Sequence, residues 1–108
     1  MSLDFDRHAR EIETLCRKFR VLRLEAFGSS IKDHFDPSSS DVDLIAEFAA
    51  TREPGYADRY LDFSQSLEAL FGHRVDLLTP GALRNPRFAE SIRLDAVTLY
   101  EAKEHQAA

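Results

Sequence analysis

The segment Phe27–Phe48, FGSSIKDHFDPSSSDVDLIAEF, ends one apolar run at Gly28-Ser29, crosses a polar loop, and opens the next run with Asp41-Val42-Asp43. Its second half alternates. On an extended chain Val42, Leu44, Ala46 and Phe48 share one side, and Asp41 and Asp43 share the other. This predicts a β-strand over 41–48, with one face for a core and two carboxylates at the mouth of the opposite face. Like charges held this close repel, and one takes up a proton unless a cation sits between them. A hard divalent ion, Mg²⁺ or Mn²⁺, takes oxygen ligands and needs only one or two carboxylates plus substrate phosphates. Asp41 and Asp43 are therefore candidate catalytic metal ligands. The plainer alternative makes Asp41 a turn cap and Asp43 a solvated face residue.

Gly28 closes a strand over Val21–Phe27, in which Leu22, Leu24 and Ala26 alternate with Arg23 and Glu25. A glycine there lets the backbone approach a phosphate, with exposed N–H groups forming an anion nest. Ser29 adds a hydroxyl donor. A Gly-Ser pair by itself is more often a turn. Phosphoryl transfer with two metals calls for a further acid to hold or deprotonate the nucleophile. Asp76, in HRVDLLTP, is the candidate, again a lone carboxylate in an apolar strand. Its alternative role is an edge charge that discourages aggregation. If its strand neighbours 41–48, Asp76 completes a cluster of three. Arg74, on the same strand face, either neutralises that cluster and touches a triphosphate or is a surface arginine.

Around these motifs the chain alternates helix and strand. Phe5, Ala9, Ile12, Cys16 and Phe19 recur at helical spacing, predicting a helix over about residues 4–19. Tyr60, Phe63, Leu67, Leu70 and Phe71 define a second, capped by Gly72. Arg74–Leu78 is a short third strand, 80–95 holds one or two helical turns broken at Asn85-Pro86, and Ala96–Tyr100 is a final strand or a helix end. EAKEHQAA is expected to be a tail, with the domain core at about residues 4–102 and 103–108 frayed. The order α-β-β-α-β-α-(β) predicts an α/β (α+β) fold, a small mixed sheet flanked by helices in one domain over 1–108.

A length of 108 residues suits one core, and 44% hydrophobic with 31% charged residues is ordinary for a globular protein. No apolar run approaches the roughly 18 residues of a membrane span. The opening MSLDFDRHAR is charged where a signal peptide is apolar, so a cytoplasmic location is expected. Net charge −5 argues against direct nucleic-acid binding, which leaves a basic footprint. A nucleotide can still bind where a divalent cation supplies the positive charge. Cys16, the one cysteine, excludes an internal disulfide and is expected to be a buried core thiol. Tyr56 and Tyr60 are candidates for an aromatic patch facing a partner, whereas Phe63 is expected in the core.

Gly28-Ser29, then Asp41-x-Asp43, then Asp76 on a later strand resembles the nucleotidyltransferase superfamily related to DNA polymerase beta. The short chain, the FGS opening, DVDLIAEF and the run VDLLTPGALRNPRFAESIRLDAVTLYEA resemble its minimal nucleotidyltransferase branch over about residues 4–102. The resemblance implies a mixed sheet flanked by helices and transfer of a nucleoside monophosphate, AMP from ATP, to a hydroxyl. Gly28 and Ser29 would hold the triphosphate. Asp41 and Asp43 would bind Mg²⁺ or Mn²⁺, and Asp76 would ligate the second metal and activate the acceptor. Many minimal members are antitoxins paired with a HEPN-type ribonuclease toxin, some of which adenylylate that partner on tyrosine. The loop departs from the family's Gly-Ser-Arg-x-Arg-Gly: Ser30 and Lys32 stand at the arginines, Asp33 at the glycine, and one extra residue precedes Asp41. That departure keeps open a non-catalytic, nucleotide-binding antitoxin that acts by stoichiometric binding. Transfer to a small molecule would need an acceptor pocket that this short chain lacks unless a homo-oligomer supplies it.

Overall fold

A computed structural model describes residues 5–27, 42–79 and 96–102. Strands β1 (Val21–Phe27), β2 (Val42–Phe48), β3 (Val75–Leu78) and β4 (Val97–Glu101) form one sheet in the order β3-β2-β1-β4. β1 runs antiparallel to both β2 and β4, while β2 and β3 are parallel, so the sheet is mixed as the sequence predicts. The parallel pair is joined by helix α2 (Tyr56–Phe71), the connection such a pair requires. Helix α1 (Ala9–Lys18) precedes β1 and is itself preceded by a 3-10 turn over Asp6–His8.

The alternation in β2 decides which face is covered. Val42, Leu44 and Ala46 are completely buried and Phe48 nearly so, in one cluster with Leu24 and Ala26 of β1 and Leu77 of β3. Ile12 and Cys16 of α1 and Phe63, Leu67 and Phe71 of α2 close the same cluster. Both helices therefore lie on one face, and Asp43 and Glu47 point to the other. Each large side chain buried here contributes about 1.5–3 kcal/mol. Phe48 anchors the packing, with the rings of Tyr56 and Phe63 edge-on at 5.5 and 5.6 Å and Tyr60 tilted at 6.0 Å.

Several expected boundaries shift for local reasons. The predicted first helix divides at His8, whose ring turns edge-on against Phe71. The second helix starts at Tyr56 rather than Tyr60, because Gly55 takes the left-handed conformation (φ 89°) at its N-cap. It ends as expected at Gly72, left-handed at φ 71°, whose N–H bonds to the Glu68 carbonyl. In β1 a register irregularity between Val21 and Arg23 brings Val21 into the core and leaves Leu22 half-buried. Glu101 and Ala102, expected to open the tail EAKEHQAA, belong to the fold instead. Glu101 closes β4 and pairs with Arg23 at 3.5 Å, and Ala102 is buried with its N–H on the Leu22 carbonyl at 2.9 Å. The helical turns expected within 80–95 lie outside the described residues, as does 103–108.

Arg59, at the start of α2, ties three segments together. Its guanidinium donates to the carbonyls of Phe19 (3.1 Å), Ala49 (2.7 Å) and Ala50 (3.0 Å) and lies over the rings of Tyr56 and Phe48. Phe19 is the C-cap of α1, where carbonyls lack helical partners and a cation is favoured.

Cys16 is fully buried, and burial, with a smaller push from Glu13, raises its thiol to about 12. The folded chain thus holds this proton more tightly than the unfolded one. Its contribution to stability is complete below the ordinary thiol pKa of 9.0 and is lost as pH climbs from there towards 12. At pH 8 a thiol reagent such as Ellman's is expected to leave the native protein unmodified and to react fully in denaturant. Rapid labelling of the native chain would contradict the burial.

Candidate active site

Asp43 occupies the second position of β2, between two completely buried residues, Val42 and Leu44. Asp76 occupies the second position of β3. The parallel register pairs Val42 with Val75, Asp43 with Asp76 and Leu44 with Leu77. The two carboxylates therefore stand side by side on the face away from the helices, on strands about 4.8 Å apart. Asp43 is half-buried and Asp76 exposed. Like charges directly opposite one another on a sheet are destabilising. A shared divalent cation reverses that sign, and a carboxylate pair at this spacing is a donor set that suits Mg²⁺ or Mn²⁺.

On its other side Asp43 pairs with Phe27, the last residue of β1, so Gly28 is bonded to the residue opposite Asp43. Gly28, Ser29, Ser30, Lys32 and Asp41 themselves lie outside the described residues. Among the described residues no group of three or more His, Cys, Asp or Glu gathers as a metal centre. Arg74 is exposed and stands immediately before β3 rather than within it, its carbonyl accepting the Val42 N–H at 2.8 Å. Glu47 lies on the same sheet face, four residues further along β2 than Asp43, with the buried Ile45 between them.

Two residues of α2 reach the same strand, which the sequence alone did not disclose. The Tyr60 hydroxyl donates to the Leu77 carbonyl, and Glu68 accepts the Val75 N–H at 3.0 Å. Both Tyr56 and Tyr60, candidates for a partner-facing patch, pack their rings on Phe48 and stay half-buried. The Tyr60 hydroxyl is held above its ordinary pKa of 10.0 by burial first, then by the charge of Asp76 and by Tyr56. It stays a donor throughout the neutral range. The one trace of the Glu68 contact in the sequence is a carboxylate set among Leu67, Leu70 and Phe71.

No helix of the described residues is long and apolar enough to cross a membrane. Residues 9–99 match the family model described as "Nucleotidyltransferase domain". A Methanocaldococcus jannaschii protein whose assigned name proposes protein adenylyltransferase activity is 31% identical over 80 residues, covering 74% of this chain and 78% of the relative. A solved structure described as a proposed minimal nucleotidyltransferase superposes with a TM-score of 0.65 at 25% identity, over 90% of this chain and 95% of the other. A complex of a tri-AMPylated Shewanella oneidensis HEPN toxin with its MNT antitoxin shares the fold, with a TM-score of 0.61 at 16% identity over 95% of this chain and 77% of the other.

Proposed function

The chain belongs to the nucleotidyltransferase domain family, and on that premise we propose that it uses Mg²⁺ to transfer AMP from ATP to a hydroxyl of a partner protein, a HEPN-type toxin that it thereby neutralises. One observation carries the reading: Asp43 and Asp76 are paired in register on the sheet face away from the helices, beside the end of β1. The archaeal relative's name supports an adenylyl group and a protein acceptor, and the AMPylated toxin complex supports the kind of partner. ATP as donor fits a cytoplasmic location.

In this reaction the acceptor oxygen bonds to the α-phosphorus, the bond from that phosphorus to the bridging oxygen breaks, and pyrophosphate leaves. Asp41, Asp43 and Asp76 would hold divalent ions, which when bound neutralise the triphosphate and acidify the acceptor hydroxyl. Asp76 would take the hydroxyl proton on a carboxylate oxygen, and its exposure leaves it open to a hydroxyl carried by another protein. Gly28, Ser29, Ser30, Lys32 and Arg74 would bind and orient the triphosphate. Acceleration would come from positioning and charge neutralisation, with no covalent enzyme intermediate.

Incubation with α-labelled ATP, Mg²⁺ and lysate of the source cell is expected to label one protein band, its mass raised by one or more AMP units. ATP binding without any labelled product would overturn the enzymatic reading. It would favour the non-catalytic antitoxin that the altered loop, with Ser30, Lys32 and Asp33, keeps in play. Label recovered only in a small molecule would replace the protein acceptor.

A further inference from the structure

β3 is four residues long and forms one edge of the described sheet, an exposed place to mount a catalytic carboxylate. The Val42 N–H bonds to the Arg74 carbonyl, which fixes which backbone groups face β2. By alternation Arg74, Asp76 and Leu78 turn their amides to β2, while Val75 and Leu77 turn theirs to the outer edge. Those outward groups are the ones that α2 meets. Glu68 accepts from the Val75 N–H at 3.0 Å, and the Tyr60 hydroxyl donates to the Leu77 carbonyl. The residue between the two anchors is Asp76.

We propose that Tyr60 and Glu68 are positioning residues that clamp β3 on both sides of Asp76 and so fix its carboxylate against Asp43. α2 is a firm base for such a clamp. Phe63 and Leu67 are completely buried in the core, and the Tyr60 ring is wedged on Phe48. Strand and carboxylate then move as one body with the helix, and a shift of β3 along its edge requires both anchors to break. The inference rests on the role given to Asp76 above, and it deepens that role by naming what holds it.

The test uses the intact chain with three variants and two readouts: Mn²⁺ affinity by calorimetric titration, and exchange of the Val75 and Asp76 amides by NMR. Tyr60→Phe keeps the ring and removes the donor. Glu68→Ala removes the acceptor, whereas Glu68→Gln keeps an acceptor oxygen. Tyr60→Phe and Glu68→Ala are each expected to weaken Mn²⁺ binding about tenfold, the lower end for groups that orient a metal ligand from behind. Both should speed exchange at Val75 and Asp76, and Glu68→Gln should restore both readouts to within about twofold of wild type. The clamp is overturned if Tyr60→Phe and Glu68→Ala melt lower yet bind Mn²⁺ and exchange these amides as the wild type does. A wild type that binds Mn²⁺ but transfers no AMP, with the variants weakened as expected, sinks the transferase reading and leaves the clamp standing.

Discussion

Asp76→Asn is expected to reduce nucleotide transfer by at least about a thousandfold, equivalent to roughly 4 kcal/mol of barrier. Asparagine matches the shape of aspartate but can neither take the acceptor proton nor offer a charged oxygen to a divalent cation. On the proposed mechanism Asp43→Asn should lose as much, because the pair would share a cation and either member alone would leave it half-held. Folding of the Asp76→Asn chain should be untouched, because Asp76 is exposed and stands beside a like charge in the β2–β3 register. Initial rates of label transfer, read beside thermal melts, check both halves. Transfer within tenfold of wild type by either variant would remove that residue from the chemistry.

The largest effect on stability is expected at Arg59, far from that chemistry. Arg59→Ala leaves the carbonyls of Phe19 and Ala49 without the guanidinium donor, leaves Ala50 with only the Glu53 N–H at 3.2 Å, and uncovers the rings of Phe48 and Tyr56. A hydrogen bond from a charged group contributes about 1.5–3 kcal/mol, and water can reach part of this half-buried site. A loss of about 3 kcal/mol is therefore expected. Arg59→Lys should recover less than half of it, since a single ammonium cannot span carbonyls from separate segments as the planar guanidinium does. Urea denaturation midpoints at matched m-value decide the matter. A loss below about 1 kcal/mol would show that solvent replaces these bonds freely.

The first two strands were legible because period-two alternation shows where a core face meets a charged one. Val21–Phe27 was read with the observed bounds, and 41–48 begins one residue before the described β2. Gly72 announced the end of α2 because a left-handed cap has few other occupants. The neighbourhood of Asp43 and Asp76 was not legible in the same way. Their separation in sequence says nothing about strand order, and only the parallel pairing of β2 and β3 brings them level. Arg59 and Glu68 escaped for a related reason. Each is bonded to backbone groups, Arg59 as far away as Phe19 and Glu68 seven residues on at Val75, and a carbonyl or amide carries no residue type for a pattern to detect. For Gly28, Ser29, Ser30, Lys32 and Asp41, which lie outside the described residues, the sequence argument stands by itself.

The strand order also dictates how the chain can be made. β1 is interior to the sheet, yet its second partner, β4, is the last strand among the described residues. On the ribosome β1 emerges ahead of β2 and can pair with it, but its opposite side waits until β4 (Val97–Glu101) has followed. Through that interval the backbone of β1 is a template that any passing extended segment could join. Arg23 and Glu25 then matter before folding as well as after it, because charges along an open strand discourage such capture. A ribosome stalled before Val97 would display a sheet with its centre exposed as an edge.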